Sequence, residues 1–295
     1  MLLKPHSRIL RSMVLHAYAK INLGLRILRK RDDGFHDIET IFHRVDIADR
    51  LELGPSPDVT FSAEGLPIPG DQPDLCLRAA RLLQKASGTR SGVALKLTKR
   101  IPVGAGLGGG SSDAAATLTG LNRFWNLEFT HDHLSQIGAE LGSDVPYFLR
   151  PGSALATGRG EVLSYFPLDL PFSVLVVWPG IHIATAWAYA QCTPGGTGRA
   201  TGLKSALLAA IRDPDRMQEA VVNEFEPSLF PKYPELARVR HELKATGAFY
   251  SGMSGSGSSL FGLYTDAQTA SGAAQLFASR YKVYLTPPHF SPPAD

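Results

Sequence analysis

The sequence predicts an α+β protein of two domains, built on mostly antiparallel sheets with helices packed on them. Three observations lead there. Strand-like segments such as Val14–Ile27 and Val93–Thr98 alternate apolar and polar residues, unlike the continuously apolar centre of a parallel sheet. The charged turn Arg29-Lys30-Arg31-Asp32-Asp33-Gly34 ends in Asp-Gly between two such segments, a hairpin signal. The chain has 295 residues, long for one domain and comfortable for two, with a division expected near residue 155, giving 1–155 and 156–295.

Taken in order, Val14 to Ile27 reads as a strand with Ile21, Leu23, Leu25 and Ile27 on one face and Lys20, Asn22, Gly24 and Arg26 on the other. A second strand is expected from Thr40 to Ile47 and a third from Arg50 to Leu53. Pro55 to Pro73 is loop-rich. Asp74 is placed to cap a helix that Gly88 closes. Val93 to Thr98 alternates, with Val93, Leu95 and Leu97 inward. A glycine loop and its helix follow, and Thr130 caps another helix ending near Gly142. Ser173 to Trp178 is an apolar strand. Gly195-Gly196-Thr197-Gly198 is the most flexible-looking stretch. Helices are expected over Leu203–Ile211, Arg216–Glu224 and Glu235–Thr246. A glycine-serine run, Ser251 to Ser259, then feeds a strand at Leu260–Tyr264, and a helix over Ala267–Tyr281 precedes a strand at Lys282–Leu285.

Composition narrows the function. A net charge of +3 is too small to argue for nucleic acid, which favours concentrated basic stripes. Phe172 to Trp178 is the longest strongly apolar stretch, far short of a membrane span. Cys76 and Cys192 lie far apart without metal-ligand spacing, so a reduced, cytoplasmic setting fits. Residues 1–12 are basic but lack the apolar region of a signal peptide, and read as a ragged extension or a misassigned start.

The chemistry concentrates in Pro102-Val103-Gly104-Ala105-Gly106-Leu107-Gly108-Gly109-Gly110-Ser111-Ser112-Asp113, with an alanine-rich helix behind it. Glycines let backbone N–H groups crowd a ligand, and a helix N-terminus adds unpaired donors and partial positive charge, so the pair makes a seat for phosphate. A Walker A loop is excluded, since no lysine follows the last glycine. Gly104-x-Gly106-x-x-Gly109 matches a dinucleotide fingerprint in letters only, because the preceding strand alternates and Pro102 intervenes. A flexible linker would not run straight into a helix with Ser111, Ser112 and Asp113 as cap candidates.

These residues carry a family resemblance. The loop resembles the ATP-binding loop of the GHMP small-molecule kinases. Ala19-Lys20-Ile21-Asn22-Leu23, Asp33-Gly34-Phe35-His36, Gly142-Ser143-Asp144-Val145-Pro146, Asn223-Glu224-Phe225-Glu226 and Met253-Ser254-Gly255-Ser256-Gly257 occur with it in order. The set is similar, from residue 14 onward, to the branch whose acceptor is 4-diphosphocytidyl-2-C-methyl-D-erythritol, a step of non-mevalonate isoprenoid synthesis. The resemblance implies an ATP-binding N-terminal domain, a substrate-binding C-terminal domain, and phosphorylation of the acceptor's 2-hydroxyl. It implies catalytic roles for Lys20 and Asp144: the lysine orients the hydroxyl or lowers a neighbour's pKa, and the aspartate accepts the proton or aligns the nucleophile. Pro102 to Ser112 would wrap the triphosphate, with Ser111 or Ser112 offering a hydroxyl. Asn22 shares the face of Lys20. Phe35 and His36 would hold the cytosine by stacking and hydrogen bonding, and Tyr189, with Thr185 nearby, would close the sandwich. The branch usually has tyrosine where this chain has Phe35, so the stack survives and any phenolic hydrogen bond is lost. Ser254 and Gly255 would close the site opposite the ATP loop, near the substrate diphosphate. Mg²⁺ is implied by the phosphate charge, and no acidic pair identifies its ligands. Asn223 to Glu226 and Glu161 read as structural, and Trp187 as packing. The alternatives are a kinase of the same family for homoserine or mevalonate, a nucleic-acid module using Arg29-Lys30-Arg31, and a nicotinamide oxidoreductase.

Overall fold

The computed structural model describes residues 12–68, 70, 74–192 and 202–293; the glycine stretch at 195–198 and residues 1–11 lie outside them. A long hairpin of β1 (Met13–Lys30) and β2 (His36–Gly54) forms the backbone of the first sheet. Its turn is the Asp33-Gly34 corner, where Gly34 has φ of 84°. The two strands expected over 40–53 are one strand, because the alternation Val45, Ile47, Asp49, Leu51, Leu53 keeps a single buried face through the polar residues between them.

One edge of β2 pairs with β1. The other pairs with β4 (Val93–Lys99) toward its C-terminus and with β5 (Ser153–Thr157) toward its N-terminus. The outer strands are β3 (Val59–Gly65), parallel to β4, and β6 (Val162–Phe166), antiparallel to β5. The expected loop at 55–73 therefore contains a strand. Its burial pattern is mostly exposed, so it lacks the apolar alternation that marks strands, and backbone pairing to β4 holds it.

Against this sheet pack α1 (Leu75–Ser87), α2 (Gly109–Phe124) and α3 (His131–Leu141), sharing a core with Leu15, Leu51, Leu53, Leu95 and Leu97. The caps of α1 form as expected: the Asp74 side chain accepts from Cys76 N at 2.7 Å, and Gly88 is left-handed. Thr130 likewise caps α3.

The second sheet has the order β10 (Lys282–Thr286), β7 (Ser173–Trp178), β9 (Leu260–Tyr264), β8 (Tyr250–Met253), antiparallel throughout. It carries α9 (Pro234–Ala245) and α10 (Ala267–Ala278). The expected helix over 216–224 shrinks to a single 3₁₀ turn and α7 (Met217–Ala220). Beyond it the chain turns extended at Val221 and Asn223 bridges to Leu25. A central core joins the sheets through Ile21, Leu23, Ile41 and Ile47 on one side and Val174, Val176, Phe261 and Leu263 on the other, with Ala105 and Leu107 of the glycine loop inserted. The division expected at residue 155 falls within β5, and the chain passes between sheets from Phe166 to Ser173. Among the described residues no helix is long and apolar enough to cross a membrane.

Candidate active site

The glycine loop is stiffened by alternation. Gly104, Gly106 and Gly108 hold φ of 66°, 77° and 69°, while Ala105 and Leu107 between them are buried anchors. Left-handed glycines interleaved with ordinary residues turn successive N–H groups to one side, the geometry of an anion nest. The loop runs into α2, whose N-cap is Gly108 with no side-chain cap bond. This corrects the expectation that Ser111, Ser112 or Asp113 caps it: all three lie inside the helix. A cap side chain would occupy the donors a phosphate needs. Pro102 is buried, whereas Val103 and Gly104 face solvent and Gly109 packs on Ile101. Ser112 donates its hydroxyl to Tyr18 O at 2.7 Å and is buried; Ser111, beside the half-exposed Gly110, keeps partial exposure.

Lys20 lies beneath the loop. Both faces of β1 are buried here, so its polar face lies inside the protein. Lys20 Nζ donates to Asn22 Oδ1 at 2.6 Å and Gly106 O at 3.2 Å, lies 3.7 Å from Asp144 Oδ2, and sits over the Phe42 ring. Burial lowers its pKa and the nearby Asp144 carboxylate opposes that fall. Its backbone N donates to Leu107 O at 2.9 Å, so the lysine and the loop are joined by main chain and side chain. Asn22 Nδ2 donates to Thr40 Oγ1 at 2.8 Å, and Thr40 donates to Gly24 O, which fixes the amide.

Asp144 is the N-cap of α4 (Val145–Phe148), and its side chain is 30 % exposed. A following proline ordinarily pushes a residue toward an extended conformation, but Val145, before Pro146, is the first residue of the short helix. Proline is tolerated in a first turn, where its missing N–H has no helical partner to lose.

On the rim, the His36 ring stacks on Tyr189 with centroids 4.9 Å apart and planes at 14°. Burial lowers the His36 pKa, helped by Lys30, which keeps the imidazole neutral. Phe35 is 54 % exposed, and the Arg159 guanidinium lies 4.8 Å from its centroid. Tyr189 and Thr185 belong to α5 (Thr185–Ala190), whose Thr185 hydroxyl meets Ser256 Oγ at 3.0 Å. Trp187 packs edge-on against Tyr233.

The second glycine-serine run touches the first instead of standing opposite it. Ser254 donates to Gly106 O at 2.9 Å and accepts from Asn22 N at 3.2 Å, and Ser259 N donates to Ala105 O. A Cβ on Gly106 would sit 2.1 Å from Ser254 O. Gly255, left-handed at φ of 57°, lies against Asn22 and Gly106. Asn223 Nδ2 holds Met253 O and Gly255 O at 2.7 and 2.8 Å, the structural role expected of that motif. Thr40, Arg159, Asp49 and Lys99 are additional to the residues expected from the sequence, and Asp113, expected as a cap, instead joins Asp49 and Lys99 in a buried group. Strand alternation gave a signal for two of these, since Asp49 and Lys99 occupy inward positions of β2 and β4.

A run of left-handed glycines leading into a helix N-terminus, over a buried lysine paired with a carboxylate, is an arrangement suited to a small-molecule kinase. The chain belongs to the GHMP kinases: residues 74–152 match the GHMP kinases N terminal domain and residues 203–283 the GHMP kinases C terminal. It is 44 % identical over 277 residues to a 4-diphosphocytidyl-2-C-methyl-D-erythritol kinase of Chlorobium phaeobacteroides, covering 93 % of this chain and 97 % of that one. A crystal structure of 4-(cytidine 5'-diphospho)-2C-methyl-D-erythritol kinase superposes with a TM-score of 0.81 at 36 % identity, over 93 % of this chain and 98 % of that one. A homoserine kinase from Cytophaga hutchinsonii shares the fold, with a TM-score of 0.72 at 18 % identity over 98 % of this chain and 97 % of that one.

Proposed function

We propose that the chain transfers the γ-phosphoryl group of ATP to the 2-hydroxyl of 4-diphosphocytidyl-2-C-methyl-D-erythritol, in isoprenoid precursor synthesis. The observation that carries this reading is the convergence on Lys20: one buried ammonium reaches both the carbonyl of Gly106 in the phosphate loop and the carboxylate of Asp144. In this reading the N–H groups from Gly104 to Ser111 hold the triphosphate, the Ser112 N–H being taken by Gly108 O. The acceptor's cytosine lies among Phe35, His36 and Tyr189, with the neutral histidine free to donate from one ring nitrogen and accept at the other. The acceptor hydroxyl then meets Lys20 and Asp144. The carboxylate takes the proton as the bond to phosphorus forms, and the ammonium balances charge on the phosphoryl oxygens.

Among the described residues no group of three or more His, Cys, Asp or Glu side chains could hold a metal. Mg²⁺ fits nonetheless, because it keeps several waters and takes most other ligands from substrate phosphates, so one or two protein oxygens suffice. The partly exposed hydroxyl of Ser111, at the start of α2, would supply one. When bound with ATP, Mg²⁺ would neutralise phosphate charge.

The test is ADP release with 4-diphosphocytidyl-2-C-methyl-D-erythritol, homoserine and mevalonate as competing acceptors. The cytidine-linked alcohol is expected to give the highest kcat/KM. Asp144→Asn and Lys20→Ala should lower kcat by about 10²- to 10⁴-fold, the usual range for a lost proton acceptor or a lost group stabilising transition-state charge. Turnover within threefold of the parent in both variants would remove the two residues from the mechanism.

A further inference from the structure

Beneath the glycine loop lies a buried charge cluster that the proposed chemistry does not use. Lys99, at the inward-facing end of β4, donates to Asp49 of β2 and to Asp113 Oδ2 at 2.7 Å. The three side chains are at most 3 % exposed. The far oxygen of Asp49 accepts from the backbone N–H groups of Arg100 and Ile101, where the chain leaves β4 for the loop; the Ile101 bond is 2.8 Å. Asp113 lies one turn into α2, where the loop ends. A single ammonium therefore ties the loop's entry to its exit. It also accounts for a glycine: a Cβ on Gly109 would lie 3.0 Å from Lys99 Nζ and 2.7 Å from Ile101 Cγ2.

We infer that Lys99, bridging Asp49 and Asp113, is a positioning group for the nucleotide: it staples the two ends of the phosphate loop so that the N–H groups between them stand ready for the triphosphate. The inference rests on reading that loop as the ATP seat. The cluster holds two carboxylates to one ammonium, and an uncompensated negative charge there would oppose an anion above it. Burial pushes the Asp113 carboxyl well above its ordinary value, the direction that lessens this excess of negative charge.

Asp113→Ala is the informative variant, because it leaves Lys99 paired one-to-one with Asp49 and the buried charge balanced. The dissociation constant for ADP, measured by calorimetry, should rise at least tenfold, while KM for the acceptor alcohol changes less than twofold. Asp113→Asn keeps an oxygen for the ammonium and should weaken ADP less than threefold. Amide exchange over Gly104–Ser112 should quicken about tenfold in the ligand-free alanine variant, with the body of α2 unchanged. If the alanine variant does not fold, Asp113→Ser, whose hydroxyl is too short to reach the ammonium, serves with the same expected values. Parent-like ADP binding in the variant, equal losses in the alanine and asparagine variants, or matching losses for ADP and acceptor would each overturn the staple. Parent protein that binds no ADP would instead overturn the ATP-seat reading beneath it.

Discussion

The two glycine-rich runs of this chain have similar composition and opposite surroundings. The first, Gly104 to Ser112, ends in a long helix and leaves alternate residues partly open to solvent, with Ala105 and Leu107 as its anchors. The second, Ser251 to Ser259, begins within β8, leads to its partner β9 and is buried throughout. In the first, on the proposed reading, glycine brings backbone donors out toward a ligand. In the second, small residues let backbone approach backbone, so that Ser254 and Ser259 bond the carbonyls of Gly106 and Ala105. Glycine content marks close approach in both, and neighbouring structure decides whether the approaching group is a substrate or another part of the chain.

That contrast can be broken most sharply where the runs touch. Gly106→Ala drives a methyl into Ser254 O at 2.1 Å, on a backbone with φ of 77° that disfavours any side chain. Neither loop can yield without losing a hydrogen bond, so kcat/KM for ATP should fall by about 10²-fold or more, equivalent to roughly 3 kcal/mol. Steady-state kinetics at varied ATP measure it.

Comparisons of stability between loop variants depend on pH through a residue in neither loop. His43 is buried against Ser153 Oγ, and burial lowers its pKa to about 4. Between its unfolded value near 6.5 and about 4, the unfolded chain binds a proton that the folded chain refuses. Stability is therefore full above pH 7 and should fall by about 2 kcal/mol at pH 5. Urea unfolding at the two pH values tests this, and His43→Gln should flatten the difference.

Ser254→Ala probes the buried run alone. It removes the donor to Gly106 O and the acceptor for Asn22 N, at a cost of about 1–3 kcal/mol in unfolding free energy. A Kd for ADP within fivefold of the parent would show that the buried run supports the nest without touching the ligand. The smallest effect is expected on the rim. Phe35→Tyr keeps the π face and should change KM for the cytidine-linked acceptor less than threefold, whereas Phe35→Ala should raise it about tenfold through lost stacking.

Much of this architecture was legible in the chain. Alternation located β1, β4 and the inward faces of β2, and the caps Asp74, Gly88 and Thr130 were read from residue type because each acts on its own helix. The alternation also carried a charged message that was easy to pass over. After Val93, Leu95 and Leu97, the next inward position of β4 is Lys99, and Asp49 lies between Ile47 and Leu51 on β2. A charged residue that keeps an apolar period demands a buried partner. β3 escaped because most of its side chains are exposed and its order comes from a neighbour distant in sequence. The contact between Gly106 and Ser254 spans 148 residues, and no local pattern encodes it. The helix expected over 216–224 failed for a related reason: Asn223 is held by the carbonyls of Met253 and Gly255, a tertiary demand that overrides local preference.

The bonds between the two glycine runs are made largely by main-chain carbonyls and amides. Phe35, Arg159 and Tyr189 sit further out, and their contacts are made by side chains, on which the proposed reading places selectivity for the acceptor. Retargeting such an enzyme to a new alcohol is thus a matter of redecorating its outer wall, with the inner joinery left alone. Screening libraries confined to those three positions should retain foldable, nucleotide-competent members at high frequency.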